Sequence, residues 1–189
     1  MKKRKISMRN DYKYFTFDNI PSLNDVLDNR ERRIIKIHDL EKVYPDMIII
    51  CFKLNIPGEQ KINDAIINIF NLGVIDINLT LDSKNIIYND SKKDITGPEY
   101  FCVAKGDPCD LKMKMVNIEE NSYFGRLYDI DLIYKGKSVS RQELDLGPRK
   151  CFLCNDDAKI CARSRKHNLD SMIRWIEDLI DNYEGTYGK

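Results

Sequence analysis

Long hydrophobic runs are missing from this chain: nothing approaches the roughly 18 uninterrupted apolar residues of a membrane span. The start carries Lys2 to Lys5 where an export signal would carry an apolar core. A soluble, cytoplasmic protein with no membrane partner is the expectation. Charge of one sign is not in excess either. The formal net charge of +1 gives no polyanion signature, so no nucleic-acid partner is expected. Internal repeats and low-complexity linkers are absent, and 189 residues suffice for one core but would strain two. One domain over 1–189 is expected, with 140–189 as the only candidate subregion.

Six cysteines are present, in a chain too large to need disulfides for stability, so reduced thiols are expected. Aromatic residues gather early, at Tyr12, Tyr14, Phe15 and Phe17, without periodicity, and are expected to drape over the body. Ser22 then reads as the N-cap of a helix, with Asp25 three residues on. Met47 to Leu54 reads as a central strand. A helix is expected over 59–72 with Gly73 as its stop, then a strand over 74–81, where Asp76 and its polar neighbours alternate with Ile75, Ile77, Leu79 and Leu81.

That strand, helix, strand succession is compatible with a crossover unit or with antiparallel pairing. Residues 83–98 read as a hairpin or loop, 100–104 as a short strand, and 111–118 as a half-exposed strand. Further strands are expected at Asp129 and, after a Lys135-Gly136 turn, up to Ser140, with a final helix over 168–183. The fold class is α+β, a mixed sheet with packed helices.

Asp129 and Asp131 carry the strongest chemical signal. On a strand they share one face, about 6 to 7 Å apart along the chain. Two carboxylates so placed repel each other unless a cation lies between them, which suits Mg²⁺. Solvated aspartates on an edge strand are the plainer alternative. Gly125 and Arg126 just upstream favour phosphate chemistry, because glycine lets backbone approach a phosphate and arginine forks onto its oxygens. Gly125, Arg126 and the carboxylate pair together resemble the active-site edge of a nucleotidyltransferase, which implies a nucleotidyltransferase-like arrangement of the sheet and a third carboxylate, from Glu119, Glu120, Asp145 or Asp76. A second group, Cys151, Cys154, Cys161 and His167, has the spacing C-x2-C-x6-C-x5-H and could surround Zn²⁺. Buried thiols that merely pack are its alternative.

Phe124-Gly-Arg-Leu-Tyr-Asp-Ile-Asp131, Ser140-Arg141, Pro148 to Cys154 and 158–163 with His167 together resemble the CitX family of apo-citrate lyase phosphoribosyl-dephospho-CoA transferases. Upstream, Glu31-Arg32, Ile56-Pro-Gly58, Lys61 and Ile69 to Gly73 resemble its earlier motifs. Tyr128 stands where some relatives carry tryptophan, and Arg149-Lys150 where an arginine pair occurs. The resemblance implies transfer of a phosphoribosyl-dephospho-CoA group from triphosphoribosyl-dephospho-CoA to a serine of the citrate lyase acyl carrier protein, releasing pyrophosphate. It implies Mg²⁺ on Asp129 and Asp131, Arg126 on the triphosphate, and Gly125, Arg32, Arg141 and Arg163 as further phosphate contacts. Arg30 and Arg33 would offer a basic surface to an acidic carrier. Two rivals remain at this point: a nucleotidyltransferase serving another carrier, such as that of malonate decarboxylase, and a zinc-ribbon-like binding protein.

Overall fold

The computed structural model describes residues 12–187. The basic cluster Lys2 to Lys5 lies outside them. Helix α1 (Leu23–Val43) starts at the expected capping box: the Asp25 amide donates to Ser22 Oγ at 3.2 Å, and the Ser22 amide donates to Asp25 Oδ2 at 2.8 Å. It runs well past Arg33, where its first charged stretch ends. Strand β1 (Ile48–Leu54) is buried through Phe52, as its apolar run requires.

Helix α2 (Asp64–Leu81) begins at Asn63, whose side chain accepts from the Ile66 amide at 2.8 Å. It absorbs the strand expected over 74–81. Its buried positions, Ile66, Ile69, Phe70, Gly73, Ile77 and Leu81, form a helical stripe, while Ile75 and Leu79 are exposed; the alternation by twos coincided with only part of that stripe. Gly73 is therefore no stop. A Cβ there would lie 2.4 Å from the Phe52 ring, so glycine lets the helix approach the sheet. By length and hydropathy α2 could span a membrane, yet its stripe packs in the core.

Strands β2 (Ile86–Asp94) and β3 (Gly97–Ala104) make a hairpin. Helix α3 (Pro108–Asn121) replaces the strand expected over 111–118. Asp107 caps it, accepting from the Cys109 and Asp110 amides at 3.0 and 2.9 Å, and Pro108 opens its first turn. The alternation of Met and Lys over 111–115 is read as a strand only if Lys112 is solvated, and it is buried. Strands β4 (Tyr128–Tyr134) and β5 (Lys137–Ser138) follow, then helices α4 (Ala158–Arg163) and α5 (Leu169–Tyr187).

The sheet has the order β2-β3-β1-β4-β5, and every pairing among the described residues is antiparallel, so the crossover option falls with the strand over 74–81. The α+β class holds, in an arrangement consistent with the nucleotidyltransferase-like expectation. Helices α2, α3 and α5 cover one face around Phe52, which stacks on Phe70 and meets Tyr128 edge-on, both at 5.2 Å. Phe15 is buried in the same core, and the Tyr14 amide donates to Glu177 Oε1 at 2.7 Å, so the aromatic segment does drape over the body. Helix α1 lies on the other face, where Leu40 joins Ile49, Cys51, Phe101 and Val103.

Candidate active site and cysteine cluster

Strand β4 sends Tyr128, Ile130 and Leu132 into the large core, so Asp129 and Asp131 emerge together on the α1 face. The register aligns Lys53 with Asp129 and Cys51 with Asp131. A cation does lie between the carboxylates. It is the Lys53 ammonium, 2.6 Å from Asp129 Oδ2 and 3.1 Å from Asp131 Oδ2. Arg149 adds a contact at 3.5 Å to the other oxygen of Asp129. Burial pushes the Asp129 carboxyl up, but Lys53 and Arg149 outweigh it and hold it below the usual carboxylate range. Burial likewise opposes the charge on Lys53, and the two aspartates overcome it and hold the ammonium above the usual lysine range.

The outer edge of β4 meets β5 only at Ile133 and Tyr134, so its earlier backbone groups need other partners. Charged side chains supply them. Glu119 accepts from the Ile130 amide at 3.1 Å, and the buried Lys112 donates to the Ile130 carbonyl at 3.1 Å. Arg149 donates to the Arg126 carbonyl at 2.8 Å and to the Tyr128 carbonyl. Arg141 forks onto Glu119 and Glu120, at 2.6 Å each. The strand bearing the aspartates is thus braced by a charged network that α3 and the 140–150 segment contribute.

The remaining expected residues fall in several places. Gly125 is buried, and its amide donates to the Ser122 carbonyl; a Cβ would lie 2.4 Å from the Ile118 carbonyl, so glycine here permits a close pass beneath α3. Arg126 donates to the Cys151 carbonyl at 3.2 Å. Arg32 is on α1, 3.7 Å from Asp94 of β2, and Arg163 is exposed at the end of α4. Arg33 turns inward to Glu99, while Arg30 stays exposed.

Among the third-carboxylate candidates, Glu119 and Glu120 are engaged by Arg141, and Asp145 is exposed. Asp76 lies on α2 beside the Tyr128 hydroxyl, on the opposite face from the pair. The carboxylate that the sheet does bring into the row is Glu99, aligned with Lys53 across β3 and 4 % exposed. The sequence offered no pointer to it beyond an acid heading an apolar run.

The cysteine group converges. The ligand atoms of Cys151, Cys154, Cys161 and His167 all lie within 4.8 Å of one another. Cys151 Sγ is 3.5 Å from Cys161 Sγ, and His167 Nε2 is 3.2 Å from Cys154 Sγ. The loop is shaped for this by the Cys151 amide donating to the Asp156 carbonyl, the Ala158 amide to the Arg149 carbonyl, and Asp157 capping α4. Burial opposes ionisation of Cys151, but the Leu153 and Cys154 amides and the neighbouring thiols hold it below the usual thiol range. Cys161 is pushed up to about 12, by burial and by Cys151. Three sulfurs and one imidazole so gathered can hold a structural metal.

Two cavities flank Arg149. One, of about 580 Å³, is lined by Arg126, Lys150, Phe152, Leu169 and Met172 among others. The second, of about 610 Å³, is lined by Asp131, Lys112, Arg141 and Lys159 among others. Residues 21–183 match the family model described as CitX, apo-citrate lyase phosphoribosyl-dephospho-CoA transferase. The chain belongs to the CitX family. Among similar proteins of this family, a probable apo-citrate lyase phosphoribosyl-dephospho-CoA transferase of Streptococcus pyogenes serotype M3 is 33% identical over 174 residues, covering 90% of each chain. One of Vibrio cholerae serotype O1 is 32% identical, covering 86% of this chain and 93% of the other. Protein CitXG of Leuconostoc mesenteroides subsp. cremoris is 36% identical, and the match spans 90% of this chain but only 37% of that longer protein. The CitX match takes in β4, its bracing network and the whole cysteine cluster.

Proposed function

We propose that this chain transfers a phosphoribosyl-dephospho-CoA group from triphosphoribosyl-dephospho-CoA to a serine of a citrate-lyase acyl carrier protein, releasing pyrophosphate in a reducing, cytoplasmic setting. The observation that carries the reading is the pair Asp129 and Asp131, on one face of β4 with a cation already between them, in a chain of the CitX family.

The serine hydroxyl oxygen forms a bond to the α-phosphorus, and the bond from that phosphorus to the bridging oxygen of the leaving pyrophosphate breaks. The hydroxyl proton must leave as this happens. Asp131, whose side chain is 51% exposed, is the more open carboxylate for it. Two carboxylates on one face fit a hard divalent cation, and Asp129 and Asp131 would hold Mg²⁺. When bound there, Mg²⁺ neutralises charge on the phosphates and lowers the pKa of the attacking hydroxyl.

Arg126 and Arg149 would bind phosphate oxygens. Arg149 borders both cavities, so it stands between an anionic end of the donor at Asp131 and an apolar end over Phe152, Leu169 and Met172. Arg141, bound to two glutamates, would act by holding β4. Arg32 and Arg163 would serve only phosphates or carrier groups that reach beyond this row, and Gly125 by keeping Arg126 close to α3. Three cysteines and a histidine fit Zn²⁺, and zinc at Cys151, Cys154, Cys161 and His167 would fix the loop that carries Arg149.

Release of inorganic pyrophosphate is the test. With donor, apo carrier and Mg²⁺ present, the wild type should release about one pyrophosphate per carrier. Omission of the carrier or addition of a chelator should abolish it. Pyrophosphate release that is indifferent to the carrier would sink the reading, and acceptance of a malonate decarboxylase carrier in preference to a citrate lyase carrier would favour the sister activity.

A further inference from the structure

Beside the aspartate pair lies a small cleft lined by Arg33, Lys53, Lys61, Thr96 and Glu99, with a volume of about 40 Å³. That is space for about three waters. It would take the oxygens of one phosphoryl group and excludes a nucleoside. Two of its groups are incompletely partnered among the described residues. Thr96 Oγ1 is buried without a hydrogen-bond partner among the described residues. Lys61 reaches only the Ile56 carbonyl, at 2.5 Å, and no carboxylate pairs with it among the described residues; burial holds its ammonium below the usual lysine range. A buried hydroxyl costs stability unless something completes it, and a half-buried ammonium without a counter-charge costs some as well.

Lys53 belongs to both places. Its ammonium is engaged by Asp129 and Asp131, yet its side chain also forms a wall of the cleft. A divalent cation on the aspartates would compete with that ammonium for the same oxygens. Arg33 is bound to Glu99 and contributes a fixed charge pair.

We propose that this cleft seats a phosphoryl group at the pyrophosphate end of the donor, with Lys53 as its metal-responsive member. While the aspartates lack metal, Lys53 neutralises them. When a divalent cation takes them, the ammonium is released to the cleft, where Lys61 and the Thr96 hydroxyl complete the anion's shell. This rests on reading Asp129 and Asp131 as a metal pair.

The probes are Mg²⁺ alone and inorganic pyrophosphate at saturating Mg²⁺, both followed by calorimetric titration. Lys53→Met should bind Mg²⁺ severalfold more tightly, because a competitor is gone. Lys53→Met and Lys61→Met should each bind pyrophosphate about tenfold more weakly, the loss of one charge-assisted bond. Thr96→Val keeps shape and sacrifices no existing bond, so it folds normally and should weaken pyrophosphate about threefold to tenfold. Wild-type pyrophosphate affinity in Thr96→Val and Lys61→Met overturns the seat, and unchanged or weaker Mg²⁺ binding in Lys53→Met overturns the role of Lys53. Undiminished Mg²⁺ binding by Asp129→Asn with Asp131→Asn is a separate result and removes the metal reading beneath both.

Discussion

Replacing Arg149 with methionine isolates what its guanidinium does, because methionine retains most of the stem's packing. Three contacts disappear. The Tyr128 carbonyl belongs to a residue 1 % exposed and is left without its donor, a cost of about 1–3 kcal/mol. The Arg126 carbonyl sits on a half-buried residue and recovers water. The 3.5 Å contact with Asp129 joins two partly exposed groups and adds about 0–1 kcal/mol. A loss of about 1–4 kcal/mol follows, and for a urea slope of about 2–3 kcal/mol/M the midpoint should fall by roughly 0.5–1.5 M. Urea unfolding followed through Trp175, the single tryptophan, measures it. Arg149→Lys should recover only part, since one guanidinium nitrogen holds both carbonyls while another reaches Asp129, and a single ammonium on a shorter stem cannot serve both places. A loss below about 0.5 kcal/mol in Arg149→Met would refute the claim that Arg149 completes the edge of β4.

Other perturbations follow from the same geometry. Asp129 titrates lower in the folded chain than its ordinary 3.8, so its contribution is present above that pH and lost as the pH falls through the folded value. Asp129→Asn should therefore flatten the acid limb of the stability profile below about pH 4, and an unchanged limb counts against the pairing with Lys53. Gly73→Ala places a methyl 2.4 Å from the Phe52 ring and should cost about 1–3 kcal/mol in thermal or urea denaturation, whereas Gly147→Ala, open around its Cβ, should cost far less. Purified protein should carry about one zinc per chain, and Cys154→Ser should lose it. Because Phe152 lies against Trp175 at 4.9 Å, that loss should also alter tryptophan emission. Zinc-free wild type purified without chelator would return the thiols to a packing role.

What the sequence disclosed depended on how local the physics is. Alternation along 128–132 is local, so the shared face of Asp129 and Asp131 was legible, as were the capping box at Ser22 and the knuckle spacing from Cys151 to His167. Gly73 and the alternating Ile75, Ile77, Leu79 and Leu81 misled because a glycine that ends a helix and one that admits a neighbouring ring look alike in sequence. Lys112 read as a surface charge on a strand, and Glu119 as a candidate third carboxylate in the turn beyond it. Their burial makes sense only once β4 is seen to lack a neighbour at Ile130. Lys53 and Glu99 stayed hidden for the same reason: their place beside the aspartates is set by strand pairing between segments distant along the chain.

The most direct test is the intact mass of the carrier protein after incubation with enzyme, triphosphoribosyl-dephospho-CoA and Mg²⁺. Wild type should add one phosphoribosyl-dephospho-CoA group to a single serine, and Asp129→Asn with Asp131→Asn, folded by circular dichroism, should add none. An unmodified carrier with the wild type, or full modification by the double variant, would contradict the assignment of catalysis to this pair.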